Sequence, residues 1–161
     1  MMKSYSMELA DVVKAFLDED DWPYSFEEET GIFHFALQMK SKNINYFVRV
    51  REKSLSFYGI TQMNADPKKE KLMGQMAEFV CRANHGLTNG CFDLNFENGE
   101  ICYRSYMDCD GIIPSKNMVK NSIYCIATMY MAYAPAIIDI LFRDATAKEA
   151  VGKCEEKKDA E

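Results

Sequence analysis

The stretch GCFDLNFENGEICYRSYMD, residues 90 to 108, reads as two β-strands around a tight turn. Apolar and polar residues alternate on both sides of Asn98-Gly99, a pair suited to the positive φ angles of a type I′ hairpin. A two-residue loop there sets Phe96 opposite Ile101, Leu94 opposite Tyr103 and Phe92 opposite Ser105. The other face carries Asn95 opposite Cys102, and Asp93 opposite Arg104 as a cross-strand ion pair. Such a hairpin has one face to bury and holds no reaction chemistry. What lies on either side of it decides the fold class.

Upstream, Asn64 to Pro67 breaks the chain, and Asp66 is placed to cap a helix with Pro67 at its first position. Leu72, Met76, Phe79, Val80 and Ala83 form its buried stripe, and Asn84-His85-Gly86 ends it. Downstream, Ser115 is the expected N-cap of an apolar helix reaching about Ala134. Pro135 should kink it or start a short final helix through Phe142. Nearer the N-terminus, Met7 to Asp18 has the three- and four-residue apolar spacing of a helix, with Ser6 as its N-cap.

Four strands are expected between these helices. Tyr24 and Phe26 alternate in the first and Phe33, Phe35, Leu37 and Met39 in the second. Ile44, Tyr46, Val48 and Val50 form the third, with Arg49 and Arg51 on its opposite face. Leu55 and Phe57 belong to the fourth, Ser54 to Thr61. Thr30-Gly31, Ser41 to Asn43 and Glu52-Lys53 are the turns of a meander. The element order αββββαββα predicts an α+β domain over residues 1–147, an antiparallel sheet with helices on one face. The segment KEAVGKCEEKKDAE, residues 148–161, mixes charges without an apparent stripe and is expected to be a disordered tail.

Composition narrows the function classes. The chain has 161 residues and a formal net charge of −6, which argues against nucleic-acid binding, since that needs clustered Lys and Arg. Glu8 and Asp11 interrupt the N-terminal segment, so no secretory signal is expected there. A cytoplasmic location with all six cysteines reduced follows as an expectation. Residues 121–138 carry no charge and are long enough to raise a membrane span. Their tyrosines, Ser122, Thr128 and Pro135 favour a buried helix and no membrane association.

No constellation carries catalysis. His34 alternates with aromatics in a strand, His85 adjoins a helix stop, and nothing brings either to a cysteine. The acidic runs Asp18 to Asp21 and Glu27 to Glu29 suit a solvated surface. The DCDG stretch at Asp108 to Gly111 lacks the later Glu of a calcium loop. No enzyme activity, cofactor or metal is therefore expected. The third helix is apolar around most of its circumference, with Tyr124, Met131 and Tyr133 set apart from the stripe Ile123, Ala127, Tyr130 and Ala134. A single surface position cannot cover such a helix. Tyr124, Met131 and Tyr133, together with Arg49 and Arg51 on the outer sheet face, are the candidate interaction residues. The expected partner is another protein or peptide, including a second copy in a homodimer. The competing reading is a small-ligand-binding domain or small enzyme with a pocket between helices and sheet.

The segment from His85 through Asp108, after a helix ending Asn84-His85-Gly86, resembles the YbjN family. The shared features are Phe92-x-Leu94, then Asn98-Gly99-Glu100-Ile101 with Tyr103 two residues on, and Tyr133-x-Pro135 before a hydrophobic run. These are bacterial proteins described as sensory transduction regulators and related in fold to class I type III secretion chaperones. The resemblance implies a secretion-chaperone-like α+β sandwich, commonly dimeric, that acts by binding another protein. It brings no catalytic residues.

Overall fold

The computed structural model describes residues 3–39 and 42–160. Ten elements follow in the order α1 (Met7–Glu19), β1 (Tyr24–Glu27), β2 (Ile32–Met39), β3 (Lys42–Val50), β4 (Ser54–Ile60), α2 (Glu70–Asn84), β5 (Cys91–Leu94), β6 (Ile101–Asp108), α3 (Lys116–Phe142) and α4 (Ala147–Asp159). The strands make one open antiparallel sheet of order β1-β2-β3-β4-β6-β5. The fold class is α+β, as the hydrophobic periodicities predict. The expected turn at Ser41 to Asn43 begins outside the described residues, and Lys42 and Asn43 already belong to β3. Packing divides the chain into two compact units, 1–59 with 104–126 and 60–103 with 127–161.

In the first unit, Ser6 caps α1 by accepting from Leu9 N at 3.2 Å. Asp21 ends that helix at φ +53, a left-handed position that Asp tolerates better than most residues. The register pairs Phe33 with Val48, Phe35 with Tyr46 and Phe26 with Phe33. Side chains alternate across a strand, so Phe33, Phe35, Ile44, Tyr46, Val48, Leu55 and Phe57 share one buried face. Leu9, Val13, Phe16 and Leu17 of α1 and Val119, Ile123 and Ile126 of α3 are buried with them. The buried Tyr46 hydroxyl donates to Ile123 O at 2.9 Å, so its polar atom is satisfied inside the core.

The hairpin of the second unit departs from expectation. Asn95 N donates to Glu100 O at 2.9 Å and Gly99 N to Asn95 O at 2.7 Å, closing a longer loop. Gly99 has φ +72, whereas Asn98 is not in the left-handed region, so the turn is not type I′. Asn95 stands opposite Glu100, which places Tyr103 and not Ser105 opposite Phe92. Their rings lie 4.9 Å apart. The shift is by two in pairing, so the face assignment survives: Phe92, Ile101 and Tyr103 are buried. Phe96 falls in the loop and is 61% exposed. The register also places Cys102, not Arg104, directly opposite Asp93.

The helix before this hairpin starts later than expected. Asp66 accepts from Lys68 N at 3.0 Å in a separate turn, and α2 opens at Glu70. At its other end Asn84 is the last helical residue, and its carboxamide grips β5. Phe92 N donates to Asn84 Oδ1 at 2.7 Å, and Asn84 Nδ2 donates to Phe92 O at 2.9 Å. The pair imitates a neighbouring strand at a sheet edge, where unpaired backbone would invite association.

Two further findings concern the C-terminal third. Pro135 lies inside one continuous helix, α3, and both Pro135 and Met131 are exposed. Proline cannot donate to the Met131 carbonyl, but at an exposed position water can take over that acceptor. The expected disordered tail is instead α4. Thr146 and Glu149 form a reciprocal capping box, and Gln75 Oε1 accepts from Ala147 N at 2.7 Å. Ala147, Ala150, Val151 and Cys154 recur at helical spacing and are buried, which supplies the apolar stripe that the charged composition obscured.

Candidate functional site

Two surfaces collect the candidate residues, one in each unit. In the first unit, the side of the sheet away from the core carries the stacked rings of Phe47 and Tyr58, 4.3 Å apart and 10° from parallel. His34 adjoins Phe47 with ring centroids 6.4 Å apart. The His34 Nε2 lies 3.0 Å from Glu27 Oε1. Hydrogen bonds from Thr30, and then from His34, hold the Glu27 carboxyl below its ordinary range. His34 is exposed because its strand position, alternating with the buried Phe33 and Phe35, faces away from the core. Arg49 is half-buried on this same face opposite Ile32, and Arg51 is exposed just beyond β3. Tyr106 of β6 is also exposed. Aromatic stacking on a water-facing sheet surface contributes cross-strand stability, and it also presents a rigid apolar patch.

The α3 candidates separate. Tyr124, 38% exposed, meets the edge of Trp22 with centroids 6.1 Å apart. The Lys120 ammonium lies 5.7 Å from the centre of its ring. Met131, two turns later on the helix, is 60% exposed. Tyr133 is only 3% exposed, which corrects its place among the outward residues. Its ring meets Phe79 and Phe92, while its hydroxyl donates to Glu155 of α4 at 3.4 Å. Burial, reinforced by the Glu155 charge, pushes the Tyr133 phenol up to about 12. The side of α3 that seemed to need a partner at Tyr133 is covered by α4 of the same chain.

Between α3 and α4 lies a groove of about 870 Å³. Met131, Pro135 and Ile138 form one wall, and Lys153 and Lys157 stand on the other. Cys154 is buried beneath it, and burial raises its thiol pKa, so the groove offers no ready thiolate. Sequence reasoning missed Lys153, Cys154 and Lys157 because they lay in the supposed tail. The Thr146-to-Glu149 capping spacing was the available signal.

Among the described residues, no group of three or more His, Cys, Asp or Glu side chains could hold a metal ion. All six cysteines are free thiols. By length and composition α3 is a helix that could cross a membrane, and 44% of its most apolar window is buried within the protein.

The fold and these surfaces define an α+β protein with an open antiparallel sheet, a half-buried aromatic pair on its outer face and a helical groove. The chain belongs to the YbjN family, whose model, described as "Putative bacterial sensory transduction regulator", matches residues 9–139. No curated protein matches the chain. A crystal structure of an uncharacterized protein from Methanothermobacter thermautotrophicus is similar, with a TM-score of 0.54 and 16% identity. The match covers 81% of this chain and 97% of that one, and at this identity it speaks for the fold.

Proposed function

We propose that this chain is a non-enzymatic regulatory protein of the cytoplasm that acts by binding another protein, in the manner of a secretion chaperone. The observation that carries this reading is the Phe47–Tyr58 stack on the outer side of the sheet, the side on which Arg49 is half-buried and Tyr106 exposed. Aromatic residues and arginine on one face are the composition favoured at the centre of protein interfaces. Family membership supports the regulatory half of the proposal. A second copy is among the partners this face would suit.

The test places a photo-crosslinking residue at Tyr58 in the native cell and identifies what is joined to it. Phe47→Asp serves as the disrupted control. The expected result is a discrete crosslinked species that Phe47→Asp abolishes without changing the melting curve. Sedimentation equilibrium of the wild type then separates self-association from capture of a different protein. Absence of any crosslink above background, or its survival in a folded Phe47→Asp variant, would remove this face from the function.

A further inference from the structure

We propose that the groove between α3 and α4 is a second site, which docks an acidic amphipathic segment of another protein. The argument starts from charge. The chain as a whole carries −6, yet this groove is lined by Arg143, Lys153, Lys157 and Lys158 against Asp139 and Glu156. Asp139 and Arg143 satisfy one another at 2.9 Å, and the Lys158 ammonium sits over the Tyr133 ring at 4.3 Å. Lys153 and Lys157 remain, one helical turn apart and exposed. Like charges at this spacing destabilise a helix. Glu149, one turn before Lys153 and the natural partner for it, is turned instead to the capping box at Thr146. Neither lysine takes part in an ion pair among the described residues. An anionic occupant would relieve that repulsion.

The opposite wall excludes a bare anion as the occupant. Met131, Pro135 and Ile138 follow at spacings of four and three along α3, an apolar strip that only an apolar stripe would bury. Met131 adds a flexible thioether that adapts to the side chain it meets. A segment with apolar residues on one side and carboxylates flanking them matches both walls. The lysine wall belongs to α4, which lies beyond the family match at 9–139. That wall is therefore carried by a part of the chain that the family model does not describe, while Met131, Pro135 and Ile138 lie within the match. It stands independently of the sheet face, because crosslinking at Tyr58 reports nothing on this groove.

The experiment displays a random peptide library, long enough for about four helical turns, against the full chain. The expected result is enrichment of peptides with excess Asp and Glu and with apolar residues at helical spacing. Their addition should shift the Met131 methyl signal in NMR. Lys153→Glu combined with Lys157→Glu should weaken binding at least about tenfold, and raising the salt should weaken it in the wild type. Lys153→Gln with Lys157→Gln, which adds no repulsion, should weaken it less and guards against a misfolded variant. No enrichment, selected peptides without an acidic excess, equal binding by the double variants or an unmoved Met131 methyl would each overturn the proposal. A concentration-dependent dimer abolished by the same lysine changes would also overturn it, by giving the groove to a second copy.

Discussion

Replacing Gly99 with alanine should be among the most damaging single-methyl changes in this protein. Gly99 has φ +72, and a Cβ built there would lie 1.7 Å from Ala65 O and 2.7 Å from Ala65 C. Ala65 also donates its N–H to Gly99 O at 3.0 Å, so the two segments are held together and cannot part freely. The left-handed backbone alone costs an alanine roughly 1–2 kcal/mol. Relieving the overlap costs about 1–3 kcal/mol more, and losing the Ala65 hydrogen bond adds about 1 kcal/mol. The reduced freedom of the unfolded chain returns about 0.4–1 kcal/mol, leaving a net loss of roughly 2–5.5 kcal/mol, centred on about 4 kcal/mol. Gly86 in the same unit is the control: its φ is +80, yet nothing lies within 4 Å of its Cβ position. Gly86→Ala should therefore lose only about 1 kcal/mol. Urea unfolding followed by circular dichroism measures both, and the slope should stay constant between variants. In a thermal scan Gly99→Ala should melt roughly 10 °C below wild type, since about 1 kcal/mol shifts a chain of this size by about 2–4 °C. Equal losses at the two glycines would refute the close approach of Ala65 to the hairpin. A Gly99→Ala variant within about 0.5 kcal/mol of wild type would refute the loop geometry as well.

Gly59→Ala sets a methyl 2.3 Å from Ile126 Cγ2 and 3.1 Å from Ile44 Cγ2. It should cost about 1–3 kcal/mol, and Gly59→Ala with Ile126→Ala should cost less than the sum, a double-mutant cycle by urea being the check. Thr146→Ala removes the side-chain half of the α4 capping box and should cost about 1 kcal/mol. Hydrogen exchange should rise first in residues 147–151, and an unchanged pattern would count against the cap. The Tyr133 phenol, pushed up from 10.0 to about 12 by burial and Glu155, should titrate near that raised value when followed by carbon NMR. Because the folded state favours the neutral phenol, its contribution is complete well below pH 10.0, where the unfolded phenol is half ionised, and is lost as pH rises through about 12. Glu155→Gln should lower that midpoint, and no movement would show that the carboxylate has no part in the shift.

The alternating residues of β2, β3 and β4 were legible because one face of a sheet is buried and the side-chain period is two. Phe33, Phe35, Tyr46, Val48, Leu55 and Phe57 could be assigned inward with no tertiary information. Ser6 and Ser115 were legible as caps for a local reason: their hydroxyls meet backbone N–H groups three residues away, at 3.2 Å in both cases. The hairpin was legible in its faces but not in its loop. Asn98-Gly99 suits a type I′ turn, yet the bond between Ala65 and Gly99 ties the loop to a segment more than thirty residues earlier in the chain. Local turn preference is worth about 1 kcal/mol, which a tertiary hydrogen bond can match.

The candidate site divides in the same way. That Tyr124 and Met131 point outward follows from their spacing on one helix, and both are exposed. Tyr133 has comparable spacing but lies under α4, and no pattern within α3 could reveal that cover. Sequence by itself determined which residues are apolar on which face, the caps of α1 and α3, and where the sheet strands run, because these depend on neighbours within a turn or two. The tertiary structure alone decided that Ala147, Ala150, Val151 and Cys154 find a surface to bury against. Four small apolar residues among charges cannot order a helix of thirteen residues in water, where short helices are marginal. Docked beside α2 and capped by Gln75, the same residues hold α4 in place, and with it the lysine wall of the groove.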